Sequence, residues 1–229
     1  MSTEPRTVVV VGASRGLGLG LVHAYLAQGW HAIATARSAD SPLSALAGPG
    51  SCLQVELCDI DKQEQIDDLR VRIAGAEIDV LFVNAGISNG PEEITEDIST
   101  ASLSRLVSTN ALGPLKVIHA LKEMVKDDGV IAVMSSNLAS IENNTTGMWE
   151  GYRASKAALN TLLRSYAARQ HDARAYLAIS PGWVKTDMGG EDAPLDVETS
   201  VNGILQAIES RRGNSGARFI NYLNEQLPW

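Results

Sequence analysis

Short apolar runs alternate with amphipathic stretches along all 229 residues, and this rhythm limits the possible folds more than any other feature. Strand and helix in regular succession bury their apolar faces best as a parallel sheet covered by helices on both sides. The runs read as strands at Thr7–Val11, His31–Ala36, Ser51–Glu56, Val80–Asn84, Gly129–Met134, Arg174–Ser180 and Phe219–Asn221. Helices are expected near Leu17–Gln28, Gln63–Ile73, Ser102–Lys126, Gly151–Gln170 and Leu195–Arg211. Nothing resembling a linker or repeat interrupts the series, so an α/β doubly wound domain of about seven parallel strands is expected over residues 1–229.

Two segments break the rhythm. Residues 137–150 are rich in Asn and Thr, and residues 182–194 carry glycines with a proline at the end. Each follows a predicted strand, where an open α/β sheet binds its ligands. A formal charge of −8 argues against nucleic-acid or anionic-membrane partners, because either needs a basic surface. No apolar stretch reaches the roughly 18 residues of a membrane span. The N-terminus, with Glu4, Pro5 and Arg6 before its apolar run, lacks the pattern of a secretion signal, so a cytoplasmic location is expected. Cys52 and Cys58 make no disulfide framework and read as two small buried residues near a strand. His23, His31, His119 and His171 are scattered without acidic or cysteine partners, so no metal is expected.

The segment VVVVGASRGLGLG reads as a buried strand, a turn with Gly12, Gly16 and Gly18, and the start of a helix. Glycines there let the backbone turn sharply and approach a pyrophosphate, which the free N–H groups and dipole of the helix N-terminus stabilise. The pattern is G-x-x-x-G-x-G rather than G-x-G-x-x-G, and its context favours a dinucleotide. After the second predicted strand, ATARS has Ala36 where an acid would bind ribose hydroxyls and repel a 2′-phosphate. Arg37 follows, and Arg15 in the glycine loop adds a second positive charge, so NADP(H) is favoured over NAD(H).

GASRGLG, NAG at Asn84–Gly86, YRASK at Tyr152–Lys156 and PGWVKT at Pro181–Thr186, in that order, resemble the short-chain dehydrogenase/reductase family over essentially the whole chain. YRASKAALN and the ending NYLNEQLPW are similar to its carbonyl-reductase subgroup of the Sniffer and C-factor type. The resemblance implies a Rossmann-type fold with Gly12, Ser14, Arg15, Gly16, Leu17 and Gly18 under the cofactor and Arg37 at its 2′-phosphate. Asp59 and Ile60 would line the adenine, although Asp59 could equally cap the following helix. Asn84, Ala85 and Gly86 would pass under the adenosine ribose, and Val184 and Thr186 would hold the carboxamide.

Tyr152 and Lys156 are four residues apart, which on a helix sets both side chains on one face. An ammonium beside a phenol favours the phenolate, and bringing a tyrosine from its usual value of about 10 to near neutrality takes roughly 4 kcal/mol. Lys156 and an oxidised nicotinamide could supply it. Tyr152 would then exchange a proton with a carbonyl oxygen while hydride moves to the carbon. By resemblance Ser136, rather than the adjacent Ser135, holds the substrate oxygen, and Asn110 completes a catalytic set of Asn110, Ser136, Tyr152 and Lys156. Asn is a poor residue within a helix and Gly113-Pro114 follow it, so a local kink at Asn110 is expected, freeing a carbonyl for a water linked to Lys156. Met148 and Trp149 could form an apolar wall beside the acid, or simply pack in the core.

These readings point to a reductase that converts an aldehyde or ketone to an alcohol with NADPH. Alcohol oxidation with NAD(P) and a nucleotide-binding signalling protein without turnover are the competing possibilities. A small carbonyl or alcohol would be the substrate, and the resemblance implies a homodimer or homotetramer formed through the two long helices.

Overall fold

The computed structural model describes residues 5–48, 50–90 and 94–229. Within them, seven strands form one parallel sheet in the order β3-β2-β1-β4-β5-β6-β7. They are β1 (Thr7–Val11), β2 (His31–Ala36), β3 (Leu53–Leu57), β4 (Ile78–Val83), β5 (Val125–Met134), β6 (Ala175–Ser180) and β7 (Gly216–Asn221). The helices are α1 (Gly16–Ala27), α2 (Pro42–Leu46), α3 (Gln63–Arg72), α4 (Thr100–Val107), α5 (Gly113–Leu121), α6 (Glu150–Gln170) and α7 (Val197–Arg211). The expected doubly wound, Rossmann-type α/β architecture is the one observed.

The four consecutive valines of β1 show why the strands read as unbroken apolar runs. Val8 and Val10 belong to the core shared with Leu21 and Tyr25 of α1 and Ile204 of α7. Val9 and Val11 enter the opposite core with Ile66 of α3, Ile118 of α5 and Leu159 of α6. A strand covered on both faces needs no polar alternation. The strand order reverses between β1 and β4, which opens a crevice at their C-terminal ends.

Several expectations are corrected. The single helix expected over Ser102–Lys126 is α4, a five-residue π turn at Ser108–Leu112, α5 and a short 3-10 turn at Lys122–Met124. The kink expected at Asn110 is therefore a π turn centred on that residue. Strand β5 starts at Val125, earlier than the expected Gly129, because Val125 pairs with Ile78 before the register shifts. Helix α2 went unanticipated, and Cys52 is exposed while Cys58 is buried. Among the described residues no helix is long and apolar enough to cross a membrane, and no cluster of three or more His, Cys, Asp or Glu could hold a metal ion.

Candidate active site

The glycine loop leaves β1 and enters α1 through two left-handed glycines, Gly12 at φ 87° and Gly16 at φ 53°. The Gly12 amide donates to Thr35 Oγ1 at 3.0 Å, and Asn84 Nδ2 donates to the Gly12 carbonyl at 2.7 Å. Asn84 thus pins the loop itself. A Cβ at Gly12 would lie 2.7 Å from the Ala85 backbone, and one at Gly16 would touch Thr186 Cγ2 at 3.5 Å. These contacts form a backbone cradle with the loop after β4 on one side and the loop after β6 on the other. Helix α1 begins without an acidic residue in its first turn and without a side-chain cap, so its first N–H groups stay free for an anion. The residues fit a dinucleotide pyrophosphate on these grounds.

The remaining expected cofactor residues are placed unevenly. Ser14 and Leu17 sit half-buried in the loop and first turn, while Arg37 is exposed just beyond β2. Arg15 Nη1 reaches Asp187 Oδ2 at 2.7 Å, and both side chains are more than two-thirds exposed. Asp59 does not cap α3, whose N-cap is Lys62. Instead its Oδ1 accepts from the Asp61 amide at 3.1 Å, and its own amide donates to Gln65 Oε1 at 2.8 Å. Ile60 is buried, in a position where a Cβ on Gly113 would meet it at 3.0 Å. Val184 is buried and bridges to Leu195, while Thr186 Oγ1 donates to the Val184 carbonyl and accepts from the Gly189 amide.

Helix α6 carries Tyr152 and Lys156 one turn apart. Burial pushes the Tyr152 phenol up to about 12, against a smaller opposing pull from its hydrogen bond with Ser136. Lys156 Nζ donates to the Met134 carbonyl at 2.7 Å and lies 5.8 Å from the centre of the Tyr152 ring. Burial brings that ammonium down to about 8. The expected depression of the phenol by Lys156 is thus absent from the chain alone: desolvation dominates at both groups, and each is shifted toward its neutral form.

Asn110 is fully buried and uses its whole amide. Its Oδ1 accepts from the Ile87 amide at 2.8 Å, and its Nδ2 donates to the Ile87 carbonyl and to Ser155 Oγ, each at 2.9 Å. Ser155 Oγ in turn donates to the Tyr152 carbonyl at 2.7 Å. A Cβ on Gly86 would sit 3.2 Å from Asn110 Oδ1 and 3.3 Å from Lys156 Nζ, so these two side chains flank one glycine. The structure therefore brings Asn110, Ser136, Tyr152 and Lys156 to the same end of the sheet, beside Asn84, Ala85 and Gly86. Sequence reasoning missed Thr35 and Ser155. Thr35 had a signal, being a polar residue inside the apolar run HAIATA, whereas Ser155 had none beyond its place between Tyr152 and Lys156.

The buried ammonium has a measurable consequence. Between about pH 8 and 10.5 the unfolded chain holds a proton at Lys156 that the folded chain releases, so stability rises with pH across that window. Lys156→Met is expected to stabilise the fold at pH 7 by up to about 3 kcal/mol, an advantage that fades as the pH passes through the window. Thermal unfolding of both proteins between pH 7 and pH 10.5 checks this.

A solved structure from Burkholderia multivorans, described as a short-chain dehydrogenase/reductase with bound NADP, is 40% identical, covers 99% of this chain and all of its own, and has a TM-score of 0.94. The carbonyl reductase Sniffer of D. melanogaster is 31% identical with the TM-score at 0.89, covering 99% of this chain and all of its own. C-signal of Myxococcus xanthus is 37% identical over 66% of this chain and 93% of its own length. The family model for short chain dehydrogenases matches residues 6–194, and on this match, with the fold and site around it, the chain belongs to the short chain dehydrogenase family of oxidoreductases.

Proposed function

We propose that this protein is an NADPH-dependent reductase that converts an aldehyde or ketone to an alcohol. The observation that carries the reading is Tyr152 and Lys156 one turn apart on α6, with Lys156 Nζ 5.8 Å from the centre of the Tyr152 ring and the Ser136 hydroxyl acting on the phenol. Gly12, Ser14, Arg15, Gly16, Leu17 and Gly18 would hold the pyrophosphate side of the cofactor, and Asp59, Ile60, Asn84, Ala85 and Gly86 its adenosine side. Tyr152, Lys156, Val184 and Thr186 would hold the nicotinamide end. When bound, NADPH supplies the hydride. Ser136 would steady the substrate oxygen, and Tyr152 would donate its proton to that oxygen as the carbon is reduced. A phenol held at about 12 stays protonated at neutral pH, which suits donation better than abstraction. Lys156 would lower the cost of the phenolate left behind, and Asn110 keeps the Ile87 backbone and Ser155 in place around it.

Arg37, exposed just beyond β2 and without a side-chain partner among the described residues, would read the 2′-phosphate, with Arg15 released from Asp187 as a second contact. An exposed pair such as Arg15–Asp187 holds with less than about 1 kcal/mol. Arg37→Ala is expected to weaken NADPH binding by about 1–3 kcal/mol and leave NADH nearly unchanged. Fluorescence titration with both cofactors checks it, and equal losses would remove Arg37 from the phosphate site. The same titration, followed by a screen of carbonyl compounds, tests the function as a whole. Similarity to C-signal favours one second reading, a nucleotide-binding signalling protein of this fold, which requires tight NADPH binding without turnover. Exposed Leu112 and Leu162, beside α5 and on α6, support a homodimer or homotetramer through these helices.

A further inference from the structure

Arg153 follows Tyr152 but is buried, 8% exposed, and its guanidinium donors go to carbonyl and hydroxyl oxygens of one segment. Nε donates to the Met148 carbonyl at 2.6 Å, Nη2 to Thr146 Oγ1 at 3.0 Å, and Nη1 more weakly to the Leu138 carbonyl at 3.5 Å. The segment between Ser136 and Tyr152 is therefore tied near its start, at Leu138, and toward its end, at Thr146 and Met148, by a single side chain. The Arg153 amide also donates to the Trp149 carbonyl at 2.8 Å. The guanidinium thus holds the carbonyl before Trp149 while the first main-chain bond of α6 holds that of Trp149 itself, and Trp149 has a left-handed backbone, φ 66°, that a bulky residue does not adopt without support. In that conformation its ring meets the Tyr152 ring edge-on, with 6.2 Å between centroids. Met148 and Ile141, on the same segment, leave apolar side chains exposed.

We infer that Arg153 is a positioning residue: its guanidinium fixes the 138–149 segment so that Trp149 forms an apolar wall beside Tyr152, selecting carbonyl substrates with an apolar substituent. The inference rests on the reductase reading for its kinetic arm only. Lys in place of Arg keeps the charge and loses the fork, so it cannot reach three acceptors at once.

The test compares wild type with Arg153→Lys, Trp149→Ala and the double variant, using benzaldehyde and acetaldehyde as probes. For Arg153→Lys, the KM for benzaldehyde is expected to rise about tenfold, with kcat within about threefold and the KM for acetaldehyde little changed. The double variant should be no worse toward benzaldehyde than Trp149→Ala alone, since both changes remove one wall. Hydrogen exchange should quicken for amides of residues 140–149 in Arg153→Lys and stay unchanged in β1 and β4. Equal KM shifts for both aldehydes, additive effects in the double variant, or faster exchange throughout the sheet would each overturn the inference. If wild type reduces no carbonyl, the exchange measurement decides the brace by itself, and only the proposed activity fails.

Discussion

Tyr152→Phe is expected to lower the rate of carbonyl reduction by about 10²–10⁴-fold while NADPH affinity stays within a few-fold of wild type. The change removes one oxygen, the proton donor, and keeps the ring that packs edge-on against Trp149. It also leaves Ser136 without its phenol partner, but the Ser136 hydroxyl still accepts from the Leu138 amide at 3.1 Å, so the local turn survives. Lys156 keeps its bond to the Met134 carbonyl. The effect should therefore fall on kcat, with a benzaldehyde KM near that of wild type, and steady-state kinetics with a parallel NADPH titration measure both. Undiminished turnover would take Tyr152 out of the proton-donor role. Loss of cofactor binding together with turnover would show that the hydroxyl itself, and not only the ring and the neighbouring Lys156, is needed to hold the nicotinamide end, and would leave the proton-donor role unsupported.

Gly18→Ala is expected to abolish measurable NADPH binding and to cost about 1–3 kcal/mol of stability through overpacking. A Cβ there would overlap the Gly12 carbonyl oxygen and come within 2.6 Å of Asn84 Nδ2 and 2.9 Å of Ala13 Cα. Two of these three neighbours are backbone, which cannot swing aside as the end of a long side chain can. Relief requires α1 to back away from the loop, and the Asn84–Gly12 bond breaks with it. Both supports of the cradle are then lost together. Gly29→Ala makes a control, because a Cβ at that position meets nothing within 4 Å, so only its positive φ of 77° is strained. That variant should lose some stability and bind NADPH normally. Thermal unfolding and fluorescence titration separate the two, and a Gly18→Ala protein that binds NADPH as wild type does would remove the glycine loop from the cofactor site.

Much of the fold was legible because strands buried on both faces leave continuous apolar runs, as in VVVV of β1 and VLFV of β4. Strand β5 shows the limit: its first turnward residues, Lys126, Asp127 and Asp128, are polar, and the pairing of Val125 with Ile78 depends on a neighbour distant in sequence. The site was legible where local spacing sets geometry, as with the turn between Tyr152 and Lys156. It was not legible where a side chain is committed across the fold. Asn84 bonds Gly12, Asn110 bonds Ile87, and Arg15 meets Asp187, each at a separation no periodicity encodes. The opposing shifts of Tyr152 and Lys156 belong to the same class, since desolvation depends on what packs around them.

The π turn at Ser108–Leu112 separates what the site needs from what the core needs through counting. A π turn holds one residue more than the α turn it replaces. Deleting one of its five residues would let the helix run on regularly with the faces beyond it close to their present phase, because the longer turn and the shorter one sweep nearly the same angle. Val117, Ile118 and Leu121, all fully buried on α5, would still face the sheet. A chain that straightened this helix would thus keep its hydrophobic face and lose instead the placement of Asn110, so the extra residue serves the site and not the core.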